Sequence, residues 1–490
     1  MQYGFLIDHS RCIGCHACTV ACKSENSVPV GNFRTWVKYT EKGVFPDVRR
    51  HFAVLRCNHC TNAPCVKICP VKALEKRADG IVDIDRDACI GCRACMQACP
   101  YDAIYLNEDQ GAVEKCHFCA HRVEKGLEPA CAVVCPENAI IAGDLDDGES
   151  TISKLIAANP TLVRRPEQRT GPNVHYLGAE PAALDPGAAE RPDTFLWSDR
   201  PQRKPEQWPV SLPVLPNVRT VLDTEHKVEW GWGVALYLVT KGVAAGAAIL
   251  APFAAALGLT GWRASYAPEL IAMVFVALTG LLLVEDLYKP FAFIRLFTRP
   301  NWNSWLVKGA WIINAFVGLL AASMALRWFG FDQAADGVRW GAAVVGLGVA
   351  GYTAFLFAQC EGRDLWQSKW LLPHLLFQAL LCGAAVLLPL TDEPTNLVGL
   401  VLAGAIGHFV LSTWETVRSH HTGNARQAAA FLPVVAVGPL RGYRDGLIIG
   451  VGVAVLLALV APAAVFAPVL AGLVLYEYAF VRAGQLPPLS

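Results

Sequence analysis

Long apolar runs fill the second half of the chain and are missing from the first third. They fall at about residues 232–257, 267–288, 305–328, 338–359, 370–390, 396–416, 446–464 and 466–482. Each is close to the roughly 20 residues that a helix needs to cross a bilayer. Only a short break around Ala463, Ala464 and Pro468 separates the last two, so the pattern predicts eight spanning helices, or seven if the chain does not turn there. Small residues at Gly242–Gly246 and Gly346–Gly351 predict close helix packing. Trp230, Trp232, Trp302, Trp305, Trp340 and Trp370 mark the predicted span ends as an aromatic belt.

The segments before residue 229 follow other patterns. Ile81–Asp85 alternates as a short strand. Prolines recur at 160, 166, 172, 181, 186, 192, 201, 205, 209, 213 and 216, with weak periodicity. That tract predicts a long, mostly irregular strap, partly polyproline, pressed against the head or a partner. The chain therefore divides into a head (1–145), a linker (146–228) and a membrane domain (229–490).

Net charge is zero, which gives no basic face for nucleic acid. Cysteine usage changes the picture more: 16 of the 18 cysteines lie in the head. The first motif is Cys12, Cys15, Cys18 and Cys22; the second is Cys57, Cys60, Cys65 and Cys69. The third is Cys89, Cys92, Cys95 and Cys99, and the fourth is Cys116, Cys119, Cys131 and Cys135. Such density suits iron–sulfur cubanes, each iron taking one thiolate, and a run of this kind sends its last cysteine to a partner cluster. Four sets of four match four [4Fe–4S] clusters with none left over. Zinc sites space their pairs more widely. Met1–Asp8 lacks a charged and apolar leader pattern, which argues against export and structural disulfides. Pro70, Pro100 and Pro136 end the turns, and Gly14 and Gly91 permit close backbone approach to a cluster. His16, His59 and His117 are expected at the surface, with hydrogen bonding to cluster sulfur as the alternative.

These motifs, with Cys57-Asn-His-Cys60 and the segment Cys119–Cys131, closely resemble the four-cluster electron-transfer subunit of molybdopterin oxidoreductases. The resemblance covers the head and implies an α+β, ferredoxin-like double dicluster fold. It implies that motif one pairs with motif four and motif two with motif three. Cys12, Cys15, Cys18 and Cys135 would then hold one cluster, and Cys116, Cys119, Cys131 and Cys22 its partner. Cys57, Cys60, Cys65 and Cys99 would hold a third, and Cys89, Cys92, Cys95 and Cys69 the fourth, nearest the membrane. A molybdopterin-containing catalytic subunit is the implied partner, facing the motif-one cluster.

The apolar half resembles the eight-helix, quinone-interacting anchor of polysulfide reductase, on Trp230–Tyr237, Gly242–Gly246, Glu285–Phe291, Trp302–Trp305 and Phe480–Gln485. The fold class is thus a dicluster head followed by an all-α membrane domain of about eight helices. Ionisable groups at membrane depth are functional candidates because burying them is costly. Tyr237, Lys241, Glu285 and Asp286 form the expected quinone set, with Lys241 paired to a carboxylate. Glu361, Glu415 and Glu477 rank behind them. His374 and His408 are expected about two turns apart in depth, so no haem is expected. Cys360 and Cys382 read as small packing residues. Head-side loops carry 11 basic residues and the far side three, Arg263, Arg327 and Arg339. The positive-inside rule then places the head in the cytoplasm, on a protein integral to the bacterial cytoplasmic membrane. The expected function is non-catalytic: electron transfer between a catalytic subunit and membrane quinone. The alternative is an ion translocator fed by the same clusters; against it, the ionisable residues stop near the head side.

Overall fold

The structure is a computed structural model and describes residues 1–189, 215–225, 227–418 and 420–490. The strands of the head are β1 (Tyr3–Asp8), β2 (Thr35–Val44), β3 (Asp47–Arg56), β4 (Leu74–Lys76), β5 (Val82–Ile84), β6 (Ile104–Asn107), β7 (Ala112–Lys115) and β8 (Ile140–Asp144). Three more follow: β9 (Thr161–Leu162), β10 (Val174–Leu177) and β11 (Val218–Leu222). One sheet has the order β8-β1-β10-β9, a second β11-β2-β3, and β4-β5 and β6-β7 are two-stranded. The strand expected over Ile81–Asp85 is β5.

The tract after residue 145 departs from an irregular strap. β10 runs parallel to β1, Phe5 opposite Val174, and β11 lies antiparallel to β2, Val218 opposite Lys42. A helix, Thr151–Ala158, is capped by Ser150, whose side chain accepts from Ser153 N. Pro160, Pro166, Pro172 and Pro181 sit at the ends of these elements, where no ladder donor is needed. The prolines from 192 to 213 lie outside the described residues.

Among the described residues, eight helices are long and apolar enough to cross a membrane: Trp232–Phe253, Gly261–Glu285, Trp305–Trp328, Asp332–Ala358, Leu371–Leu390, Thr395–Val417, Gly442–Val460 and Pro462–Gln485. The break before the last one does turn the chain. The first span packs on the second, fourth, fifth and eighth, which makes it the central helix. Its glycines permit this. A Cβ at Gly246 would stand 1.9 Å from Ala379 O, and one at Gly383 2.3 Å from Gly246 C.

Head and anchor share one apolar core, in which Cys95, Cys99 and Tyr101 pack with Trp230, Tyr237, Trp366 and Phe480. Trp230 is therefore no belt residue: it is 5% exposed and stacks on Trp366 at 5.6 Å. Trp232, Trp302 and Trp370 are exposed at span ends, and Trp340 is exposed about two turns inside the fourth span.

Candidate iron–sulfur centres and membrane site

The same backbone builds motifs one and three. Gly14 and Gly91 both have φ +72, and His16 and Arg93 follow at φ 61 and φ 59. Each left-handed step turns the chain into a short helix that carries the next cysteine, Ala17–Asn26 or Ala94–Ala98. The glycines are also fixed by packing, since added Cβ atoms would meet Phe52 at 2.5 Å and Tyr288 at 2.6 Å.

The fold brings the cysteines together across motifs. One cavity is walled by Cys12, Cys15, Cys18 and Cys135, another by Cys69, Cys89, Cys92 and Cys95. Cys22 neighbours Cys116, Cys119 and Cys131, and Cys65 neighbours Cys57, Cys60 and Cys99. Among the described residues no three His, Cys, Asp or Glu close on a single ion. The Cys12/Cys15/Cys18/Cys135 and Cys69/Cys89/Cys92/Cys95 sets each surround a space instead, as the four corners of a cubane require. Burial pushes the Cys18, Cys60, Cys92 and Cys116 thiols up to about 12. Such thiols become thiolates only with cationic iron to neutralise them. Donors for sulfur are in place: Ala73 N reaches Cys69 Sγ at 3.3 Å, Ala139 N reaches Cys135 Sγ at 3.3 Å, and Gly91 N reaches Cys89 Sγ at 3.4 Å. The donor set fits iron–sulfur clusters.

Of the three histidines, His59 departs from a surface position. It is 1% exposed, and its Nδ1 accepts from Val82 N at 3.1 Å. Burial holds its imidazole well below the usual range, so it is neutral.

Cys15 is exposed, whereas the Cys69/Cys89/Cys92/Cys95 set faces the anchor. Asn301 Nδ2 donates to Cys69 O at 2.8 Å and Ser304 Oγ to Ile68 O at 2.7 Å. Arg93, beside Cys92, pairs with Asp286 at 2.7 Å. Gln485 ties Gln97 to the first span: Gln97 Nε2 donates to Gln485 Oε1 at 3.0 Å, and Gln485 Nε2 to Trp230 O at 2.8 Å.

The expected quinone set divides. Tyr237 and Lys241 lie buried together, whereas Asp286 holds Arg93 and Glu285 is exposed. Among the described residues Lys241 is hydrogen-bonded to no carboxylate. Its Nζ donates to Thr353 Oγ1 at 2.5 Å and Ala350 O at 3.1 Å, and lies 4.9 Å from the Tyr352 ring centroid. The cause is helix phase: Thr240 faces the second span, bonding Thr279 at 2.9 Å, so the next residue faces the fourth. A cavity beside Lys241 reaches Gln378, which donates to Glu477 at 2.6 Å. Glu477 is thus nearer this site than sequence position implies, and nothing in the sequence singles out Gln378.

Two further expectations are corrected. His374 Nε2 and His408 Nδ1 are 2.8 Å apart, in direct contact rather than two turns apart in depth. Ionisable residues also continue past the head side. Arg339 pairs with Glu269 at 2.5 Å, 7% and 1% exposed, about 10 Å from the far ends of their helices at 1.5 Å per residue. Arg339 therefore belongs to no far-side loop.

Paired cysteine cradles facing a polytopic apolar bundle define an electron carrier built onto a membrane anchor. Comparison with known proteins agrees. The 4Fe-4S dicluster domain matches residues 48–145, a 4Fe-4S binding domain 9–31, and the family described as Polysulphide reductase, NrfD, 220–392. Arsenate respiratory reductase iron-sulfur subunit ArrB of a Shewanella species is 36% identical over 225 residues, 36% of this chain and 96% of that protein. Thiosulfate reductase electron transfer subunit PhsB of Salmonella typhi is 44% identical over 173 residues, covering 35% of this chain and 88% of its own. Protein NrfC of Escherichia coli is 40% identical over 180 residues, covering 36% and 81%. The chain belongs to the family of iron–sulfur electron-transfer subunits of molybdopterin oxidoreductases, here fused to a polysulfide-reductase-type membrane anchor.

Proposed function

We propose that the chain passes electrons between a molybdopterin-containing catalytic subunit and membrane quinone through four [4Fe–4S] clusters. The observation that carries this reading is the order of the cysteine sets, from exposed Cys15 to the set packed on the anchor. The ligands are the sixteen head cysteines in the four groups described above. Bound clusters supply one-electron storage at fixed points. The chain's residues do the rest: they exclude water, hold the sulfurs, and clamp the last cradle to the membrane through Arg93 and Asn301. Quinone takes up two electrons and two protons, and Tyr237 and Lys241 offer the donors at the central span. The head, with its sheet extended by β9–β11, folds as one domain before residue 229.

We place the head in the cytoplasm. Lys289, Arg295, Arg299 and Arg363 bind head groups, so four of the 11 head-side basic residues serve docking. The remaining seven still exceed the two left on the far side, Arg263 and Arg327, once Arg339 is counted inside its span. A second reading, ion translocation driven by the same electron flow, is favoured by the Arg339–Glu269 pair, whose Glu269 Oε2 has no hydrogen-bond partner among the described residues.

Anaerobically purified protein should contain about sixteen iron and sixteen sulfide per chain. Lys241→Met should slow quinone turnover while dye-linked activity of the complex and cluster content stay intact. Half the iron would sink the four-cluster reading. Wild-type quinone turnover in an assembled Lys241→Met protein would move the quinone site elsewhere. Loss of proton release in Glu269→Gln, with electron transfer retained, would favour the second reading.

A further inference from the structure

Arg56 ends β3 and is 0% exposed. Its Nη1 donates to Cys131 Sγ at 3.2 Å, and the guanidinium carbon lies 4.3 Å from the Phe5 ring centroid. Nε and Nη2 have no hydrogen-bond partner among the described residues, and no carboxylate among them pairs with this side chain. Arg34 in the same head behaves differently. It is 3% exposed and has its counter-charge, Glu114, at 2.9 Å.

A buried cation left without an anion costs several kcal/mol, so a fold retains one only where a negative charge compensates it. A guanidinium does not lose its proton to escape that cost. The groups that surround Arg56 electrostatically are Cys131, Cys116 and Cys18, contributed by two neighbouring cradles. An aromatic face alone does not offset full burial of a charge. The anion this charge calls for is the thiolate-ligated iron–sulfur core on the side of Cys131, which Nη1 already reaches.

We propose that Arg56 is the built-in counter-ion of the cluster held by Cys22, Cys116, Cys119 and Cys131, and raises its reduction potential above that of a cradle without such a charge. The inference rests on the four-cluster reading. Adding one electron makes the cluster and its thiolates more negative by one unit, so a fixed positive charge at hydrogen-bond distance stabilises the reduced form more than the oxidised form. Charge and hydrogen bonds to sulfur are among the factors that set such potentials. Because the guanidinium stays charged, the effect does not change with pH.

The test is a redox titration of the anaerobically purified complex followed by electron paramagnetic resonance, with iron counted in parallel. Four one-electron transitions in the wild type test the cluster reading itself; fewer would refute that reading whatever the variants do. Cys22→Ser identifies the transition of the cluster concerned. In Arg56→Met that transition should move to lower potential and the other three should move less. In Arg56→Lys it should stay near its wild-type position. An unshifted transition in Arg56→Met with full iron overturns the proposal. If Arg56→Met loses about a quarter of its iron, Arg56→Lys decides: retained iron supports a requirement for the positive charge, and equal loss shows a packing role and overturns it.

Discussion

Replacing Arg93 should loosen the head from the anchor without damaging either. Its Nη2 lies 2.7 Å from Asp286 Oδ1 and donates to Asp286 O at 2.8 Å, and its Nη1 donates to Glu229 O at 3.3 Å. The paired side chains are 10% and 29% exposed. Exposed pairs are worth about 0.2–1 kcal/mol, while breaking a buried pair costs about 3–5 kcal/mol. With one partner partly solvated, Arg93→Met should cost about 1.5–3 kcal/mol of docking. Docking is reported by two backbone bonds across the boundary, Lys289 N to Ile90 O at 3.3 Å and Asn301 N to Pro70 O at 2.9 Å. Hydrogen exchange at those amides should accelerate about ten- to a hundredfold, while exchange in β1 and in the span centres stays unchanged. Quinone-linked activity should fall more than dye-linked activity. A double-mutant cycle with Asp286→Asn isolates the pair. Coupling below about 0.5 kcal/mol, with wild-type exchange at both amides, would refute the reasoning.

Gly246→Ala places a methyl 1.9 Å from Ala379 O and should cost about 1–3 kcal/mol by forcing the first and fifth spans apart. Gly280→Ala, which meets nothing within 4 Å, is the control, and thermal unfolding in detergent compares them. Burial first, then His51, pushes the His9 imidazole down to about 4, against Asp8. The unfolded chain binds this proton near pH 6.5 and the folded head only near pH 4, so head stability falls as pH drops through that window. The loss is at most about 3 kcal/mol, and the pH dependence of unfolding should flatten in His9→Gln. A reporter fused after Ser490 should be active only in its cytoplasmic form; activity only in a periplasmic form would reverse the orientation.

The spans were legible because each is a run of about 20 apolar residues, a signal local in sequence. The second begins earlier than expected, at Gly261, and holds Pro268 inside the helix. The cysteine cradles were legible because ligand chemistry fixes residue type and spacing together. β10 was not: its four residues pair in parallel with β1, and nothing local in Val-His-Tyr-Leu announces a partner some 170 positions away. The direction of Lys241 was also hidden, since one position around a helix decides between the second and fourth spans. Arg56 gave no signal, because an arginine at the end of a strand reads as surface until its burial is seen.

Because β10 lies in one head sheet and β11 in another, the polypeptide is fastened to the same body on both sides of residues 190–214. Both flanks are held by pairings that do not run through those residues. The two pieces made by a proteolytic nick, or by a gene split at that point, would share the β2–β11 ladder, the Arg93 clamp and the common apolar core. They would behave as two subunits of one complex. A head and an anchor encoded apart could thus keep this same interface, with the peptide link fixing the ratio of the parts rather than their attachment.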